Sequence, residues 1–180
     1  MDDLAAFQRG KLAVVKGDIT ELNCDVIVNA ANAALCGGGG VDGAIHKAAG
    51  PRLLEACRKL GRAKPGDALL TAGFDLEARH VVHAVGPVWS GGDRGERELL
   101  ASAYRESLAR ASDVNAKSIA FPSISTGAYR FPFDEAMAIA LETVATHLES
   151  SGLTRVIFCC FSDRDYDRYC RAVGDRFPSN

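Results

Sequence analysis

Four consecutive glycines, Gly37, Gly38, Gly39 and Gly40, lie between Asn29-Ala30-Ala31-Asn32 and the segment Val41-Asp42-Gly43-Ala44-Ile45-His46. Glycines let the backbone approach a ligand closely and take positive φ. A helix opening just after them turns unpaired N–H groups and its positive dipole end toward the run. That chemistry suits an anion, and a phosphorylated ligand in particular. Asn32 and Asp42 bracket the glycines. A carboxylate there can act on a water or simply stabilise the helix start, and the asparagine can contact a ligand or form a turn. His46, one helical turn beyond Asp42, can share its face and tune it, or serve the core.

A second cluster of small and hydroxyl residues is Pro122-Ser123-Ile124-Ser125-Thr126-Gly127-Ala128-Tyr129, after an apolar run that ends at Phe121. Tyr129 can line a ligand site or cap the loop against the core. Two loops of this kind beyond strand ends can hold a pyrophosphate between them. Two better-known phosphate motifs fit poorly. A P-loop needs Lys and Ser or Thr after its last glycine, and here Gly43 is followed by Ala44 and Ile45. Gly38, Gly40 and Gly43 satisfy G-x-G-x-x-G, but the run lies too far beyond its strand for a dinucleotide fingerprint, and no strand-ending acid follows to hold a ribose.

The elements that must position these loops read as alternating strands and helices. Apolar, mostly β-branched runs occur at residues 12–15, 26–28, 68–72, 81–85, 119–121 and 156–161, with helix-period segments between them. Continuous apolar strands of this kind are covered on both faces, which predicts a three-layer α/β/α sandwich. Pro51 suits a first helical position, with Leu53, Leu54, Cys57 and Leu60 on one face and Gly61 as the stop. Leu100, Tyr104 and Leu108 mark a helix over about 96–111. Met137, Ala140, Leu141, Val144 and Leu148 mark another from near Pro132 to Gly152, and a last helix follows Ser162. Its start, residues 163–168, mixes charges and reads as solvated. Residues 89–95 read as a surface connection, and the whole chain, 1–180, as one domain.

Composition sets limits on function. The chain is 47% hydrophobic and 24% charged with a net charge of −2, and no apolar stretch is long enough to span a bilayer. A soluble protein without a membrane partner is expected. The small charge does not favour nucleic acid, although a local basic patch remains open. Met1-Asp2-Asp3-Leu4 lacks the pattern of a secretory leader, and six cysteines without a C-x-x-C pair read as reduced packing residues, so a cytoplasmic location is expected. Cys36 alone reads as exposed. His80 and His83 fall in a strand pattern and His147 on a helix, with no zinc-ligand spacing among them, so they read as structural and no metal is expected.

Taken together, Gly17-Asp18-Ile19-Thr20, Asp25-Val26-Ile27-Val28-Asn29-Ala30-Ala31-Asn32, the stretch from Gly37 to Pro51, Val85-Gly86-Pro87-Val88-Trp89 and Phe121-Pro122-Ser123-Ile124-Ser125-Thr126-Gly127 closely resemble a macrodomain of the MacroD type. The match runs along nearly the whole chain. The resemblance implies a mixed, mostly parallel sheet of about six strands with an ADP-ribose cleft above its strand ends. Asp18 would then accept from the adenine amino group and Phe161 would stack on the adenine. Gly38, Gly39, Gly40 and Val41 would embrace one side of the diphosphate, and Ser125, Thr126, Gly127 and Ala128 the other, with Ile19 and Tyr129 completing the ligand contacts. Asn32 would orient the distal ribose, and Asp42 would place or activate the attacking water, with His46 as possible support. The implied activity is metal-independent and needs no cofactor. It removes mono-ADP-ribose from acidic side chains of modified proteins and deacetylates O-acetyl-ADP-ribose; the main rival reading is a non-catalytic ADP-ribose reader, and a third is binding of RNA ends or poly-adenylate through the adenine pocket, which the near-neutral charge disfavours.

Overall fold

The computed structural model describes residues 6–177; Met1 to Leu4, read above for the absence of a leader, lie outside them. The elements run β1 (Ala6–Arg9), β2 (Leu12–Lys16), a 3-10 turn (Ile19–Glu21), β3 (Val26–Ala31), α1 (Gly40–Ala49), α2 (Pro51–Leu60), β4 (Ala68–Ala72), β5 (His80–Val85), α3 (Glu96–Asp113), β6 (Ser118–Phe121), α4 (Phe133–Leu148), β7 (Arg155–Cys160) and α5 (Asp163–Arg176). The strands form one sheet in the order β1-β2-β7-β6-β3-β5-β4. The inner pairings β2/β7, β7/β6, β6/β3 and β3/β5 are parallel, and the edge pairings β1/β2 and β5/β4 are antiparallel.

The sheet has seven strands where about six were expected. The additional one is β1, whose sequence Ala-Phe-Gln-Arg is not an apolar run because it is an edge strand joined to β2 across Gly10 and Lys11. Two smaller expectations also shift. The helix that opens after Pro132 ends at Leu148, ahead of Gly152, and Leu60 at the end of α2 is exposed.

Side-chain alternation along the strands divides the core in two. Val26 and Val28 of β3, Val82 of β5 and Phe121 of β6 pack with Leu100, Tyr104, Ala140 and Val144 of α3 and α4. Ile27 and Ala31 of β3 and Val81 and Val85 of β5 point the other way, onto Ile45 and Ala49 of α1 and Leu53 and Cys57 of α2. The three-layer sandwich read from the sequence is therefore present. Among the described residues no helix is long and apolar enough to cross a membrane.

What matters for function is that β2, β7, β6 and β3 are neighbours and parallel, so their carboxyl ends share one edge of the sheet. In chain terms, the segments leaving that edge are the one at Asp18, the one at Phe161, the 122–129 loop and the one at Asn32. Nearby, residues 90–94 are gathered by Glu96, the first residue of α3. Its carboxylate accepts from the backbone N–H groups of Ser90, Gly92 and Arg94 and from the Ser90 hydroxyl. Burial pushes this carboxyl up, but the donors outweigh it and bring its pKa to about 2.

Candidate active site

The four strand ends open into a cleft of about 800 Å³. It is lined by Asp18, Ile19, Asn32, Gly38, Gly39, Gly40, Val41, Asp42, Ser125, Thr126, Gly127, Ala128, Tyr129 and Phe161, which are all the predicted site residues except His46. Strand order places Asp18 and Phe161 at the β2 and β7 end and Asn32 and Asp42 at the β3 end. With neighbouring strands about 4.8 Å apart, the span from β2 to β3 is roughly 14 Å, long enough for a dinucleotide-like ligand laid across the strand ends.

At the β2 end, Asp18 caps the 3-10 turn, and its Oδ1 accepts from Thr20 N at 2.9 Å and Thr20 Oγ1 at 2.7 Å. That fixes the carboxyl group and leaves Oδ2 for a ligand donor. Phe161 lies one residue past β7 and is 85% exposed. An aromatic face so bare on a cleft wall is not a core residue and is free to stack on a planar ligand group.

The middle of the cleft is flanked by backbone donors. Helix α1 starts at Gly40 with Gly39 ahead of it and no side-chain cap, so its first-turn N–H groups have no intrahelical acceptor. Across from it, the N–H groups of Ser125, Thr126, Gly127, Ala128 and Tyr129 meet no backbone acceptor among the described residues. The loop that carries them is nevertheless held. Phe131 N donates to Ser125 O at 3.0 Å, Arg130 N to Gly127 O at 2.9 Å and Trp89 N to Tyr129 O at 2.8 Å. Ser125 takes φ +66, a conformation rare outside glycine, and its buried Oγ has no partner among the described residues. Paired N–H-rich loops of this kind bind phosphate oxygens without a lysine.

At the β3 end, Asn32 does both things its residue type allowed. Its Oδ1 accepts from Ala34 N at 3.0 Å and its Nδ2 donates to Gly37 O at 2.9 Å, so it shapes the glycine loop while lining the cleft. Asp42 is 5% exposed and reaches the cleft from the first turn of α1. Its Oδ1 accepts from Asn29 Nδ2 at 2.7 Å, and its Oδ2 has no hydrogen-bond partner among the described residues. Gly38 lies against both groups: a Cβ there would sit 3.0 Å from Asp42 Oδ2 and 3.5 Å from Asn32 Nδ2. His46 sits behind Asp42, mostly buried, with Nε2 3.5 Å from Oδ1. It touches the carboxylate from the core side and is not part of the cleft lining.

Sequence reasoning missed two kinds of site residue. Gly86, Cys159 and Asp165 line the cleft, yet each comes from a segment read for another purpose. Gly86, one residue past β5, approaches the second loop too closely for a side chain, since a Cβ there would fall 2.1 Å from Ser125 Oγ. Asn29 was quoted within a motif but given no role. It is fully buried on β3, directly opposite His83 of β5, and supplies the hydrogen bond that holds Asp42. A polar side chain inside an otherwise apolar strand was the available clue.

Burial settles the cysteines and one possible metal cluster. Among the described residues all six cysteines are free. Cys36 is exposed, but it is not among the cleft-lining residues. The ligand atoms of His46, Cys57 and His83 lie within 4.8 Å of one another, although their spacing in the sequence gave no sign of it. Both ring nitrogens of His83 are already engaged, by Asn29 at 3.2 Å and Thr71 at 3.0 Å. Burial, with Asp42 adding to it, pushes the Cys57 thiol up to about 11. A metal there would have to break into those contacts and ionise the thiol, so the group reads as packed polar core.

Comparison with known proteins gives this geometry its context. Residues 28–140 match the Macro domain family. The chain is 53% identical over 165 residues to the O-acetyl-ADP-ribose deacetylase of Klebsiella pneumoniae, covering 89% of this chain and 94% of that protein. A solved structure of the Oceanobacillus iheyensis macrodomain with ADP superposes with a TM-score of 0.90 at 41% identity, over 97% of this chain and 98% of the other. The Trypanosoma brucei macrodomain in complex with ADP-ribose gives a TM-score of 0.85 at 40% identity, over 91% and 69% of the two chains.

Proposed function

The chain belongs to the Macro domain family, and from that premise we propose that its cleft binds ADP-ribose and hydrolyses esters at the distal ribose. The substrates are O-acetyl-ADP-ribose and proteins carrying mono-ADP-ribose on acidic side chains. The observation that carries this reading is the carboxylate of Asp42 at the β3 end of the cleft. One of its oxygens is tied by Asn29 and the other is unpartnered beside Gly38, at the far end of the cleft from the bare Phe161 ring.

The roles follow from position. Adenine stacks on Phe161 and donates its amino group to Asp18. The diphosphate lies between the start of α1 and the 125–129 loop, where backbone N–H groups and the Ser125 hydroxyl neutralise it. The distal ribose then reaches Asn32, and its acyl group comes next to Asp42 Oδ2. Asp42 takes a proton from a water as that water attacks the ester carbonyl. The ribose oxygen leaves with a proton and the acid is released, so one water is consumed per ester cleaved. An acyl ester is activated enough for a single base to suffice, which is why no second carboxylate is needed opposite Asp42.

The test is release of acetate from O-acetyl-ADP-ribose, and of ADP-ribose from a glutamate-linked mono-ADP-ribosylated protein, by the purified chain. Tight ADP-ribose binding with no turnover of either substrate would make the protein a reader instead. Two substitutions probe the binding half separately. Phe161→Ala should weaken ADP-ribose binding by ~1–3 kcal/mol in calorimetry without lowering stability, since the ring is 85% exposed; unchanged affinity would put the adenine elsewhere. Gly43→Ala would bring a Cβ within 2.6 Å of Gly38 O, a backbone atom that cannot swing away. The strain should cost about 1–3 kcal/mol of stability and, by displacing the glycine run, weaken ADP-ribose binding; an unaltered Kd would show that the run does not grip the diphosphate.

A further inference from the structure

We propose that His83 and Asn29 are positioning residues for Asp42: the buried imidazole orients the Asn29 amide, and the amide aims the carboxylate into the cleft. The inference rests on the assignment of Asp42 to the attacking water.

Asn29 Nδ2 has two hydrogens and two neighbours to receive them, Asp42 Oδ1 at 2.7 Å and His83 Nδ1 at 3.2 Å. Asp42 can only accept. His83 accepts at Nδ1 only when its proton is on Nε2, and Nε2 lies 3.0 Å from Thr71 Oγ1, which receives that proton as a hydrogen bond. Donation therefore runs outward from β5 to β4, leaving Nδ1 bare on the Asn29 side. Burial, with His46 adding to it, holds the imidazole pKa down to about 3, so the ring is neutral at ordinary pH.

The opposite tautomer would undo the arrangement. A proton on Nδ1 would face the amide NH2, and the amide would have to turn its oxygen inward. That oxygen would then face Asp42 Oδ1 where a donor now stands. Nothing at the other end of the amide resists such a flip, because Asn29 Oδ1 is buried without a partner among the described residues. The orientation is set by the two acceptors alone.

The anchor also suits the place it serves. Asp42 is in the first turn of a helix that opens out of four glycines, a segment with little stiffness of its own. Asn29, His83 and Thr71 are on three adjacent strands, β3, β5 and β4, held side by side by the sheet's hydrogen-bonded pairings. The other groups that face His83 leave this chain intact. Cys57 Sγ packs at 3.6 Å from Nε2, and His46 reaches Asp42 Oδ1 only at 3.5 Å.

Two experiments test the proposal. In the unaltered protein, 15N spectra of labelled histidine should show His83 as the neutral Nε2–H tautomer between about pH 5 and 8. An Nδ1–H tautomer or an imidazolium in that range overturns it, and this result depends on no variant folding. His83→Leu should lower kcat on O-acetyl-ADP-ribose on the order of 10- to 100-fold while the ADP-ribose Kd stays within about twofold. His83→Asn, whose Oδ1 can stand where Nδ1 stood, should restore most of the loss. Unchanged kcat in folded His83→Leu, equal losses in both variants, or a loss matched by lost affinity overturns the positioning role. Asp42→Ala separates the two levels. If it is inactive while His83→Leu is fully active, only the positioning role fails; if it retains full turnover, the assignment of Asp42 fails first.

Discussion

Asp42→Ala should lower turnover of O-acetyl-ADP-ribose by roughly 10²- to 10⁴-fold while ADP-ribose affinity stays within about threefold. The two effects separate because Asp42 contributes little to holding the ligand. In the proposed pose, diphosphate binding falls to the backbone of α1 and the 125–129 loop, and adenine binding to Phe161 and Asp18, groups whose placement does not involve the carboxylate. Removing it also leaves Asn29 Nδ2 without one of its acceptors, a local cost to stability of about 1–3 kcal/mol. Single-turnover assays beside calorimetry make the comparison. Asn32→Ala is expected to be less clean, because Asn32 also bonds Ala34 N and Gly37 O and so shapes the glycine loop; its loss should show in both kcat and Kd. Parent-like turnover in Asp42→Ala would remove the carboxylate from the mechanism.

How much of this was legible in the sequence depended on how local each signal was. β2 to β7 announced themselves as apolar runs, the five inner ones because both their faces are covered; β1 did not, being an edge strand whose Phe7 packs inward and is followed by polar Gln8 and Arg9. The cleft walls were legible for a related reason. A glycine run before a helix and a serine- and threonine-rich loop after a strand are contiguous patterns with a known backbone consequence. Asn29, His83 and Thr71 are different. They stand 54 and 12 residues apart along the chain at their two contacts, and only strand order brings them together. His83 read as a structural residue of its strand, Asn29 stood within a motif without a role of its own, and Thr71 carried no signal. The same holds for the approach of His46, Cys57 and His83, which no spacing rule would find. Burial was the other hidden quantity. Phe161 could be placed at a strand end by counting, but its nearly complete exposure came only from the packing around it.

That hidden histidine should also govern how the protein responds to acid. His83 is fully buried, and burial, reinforced by His46, depresses its pKa from an ordinary 6.5 to about 3. As pH falls below 6.5 the unfolded chain takes up this proton and the folded chain does not. The unfolded state is thus favoured progressively. The stability contributed by a neutral His83 is complete above about pH 6.5, declines as pH falls, and is lost by about pH 3. Within that window one proton is worth about 1.4 kcal/mol per pH unit. His83→Leu keeps the volume and removes the titration, so urea unfolding of parent and variant should not give parallel curves against pH. Near pH 7 the variant should be the less stable, because Asn29 and Thr71 each lose a partner. By about pH 4 the parent should have lost roughly 3 kcal/mol relative to the variant, enough to erase or reverse the order. Glu96, held down to about 2, and Asp25, held below its ordinary value chiefly by the Lys117 N–H, act at lower pH and equally in both. A constant stability difference from pH 7 to 4 would mean that His83 takes up its proton in the folded state as readily as in the unfolded one, and the neutral imidazole on which the Asn29 orientation depends would go with it.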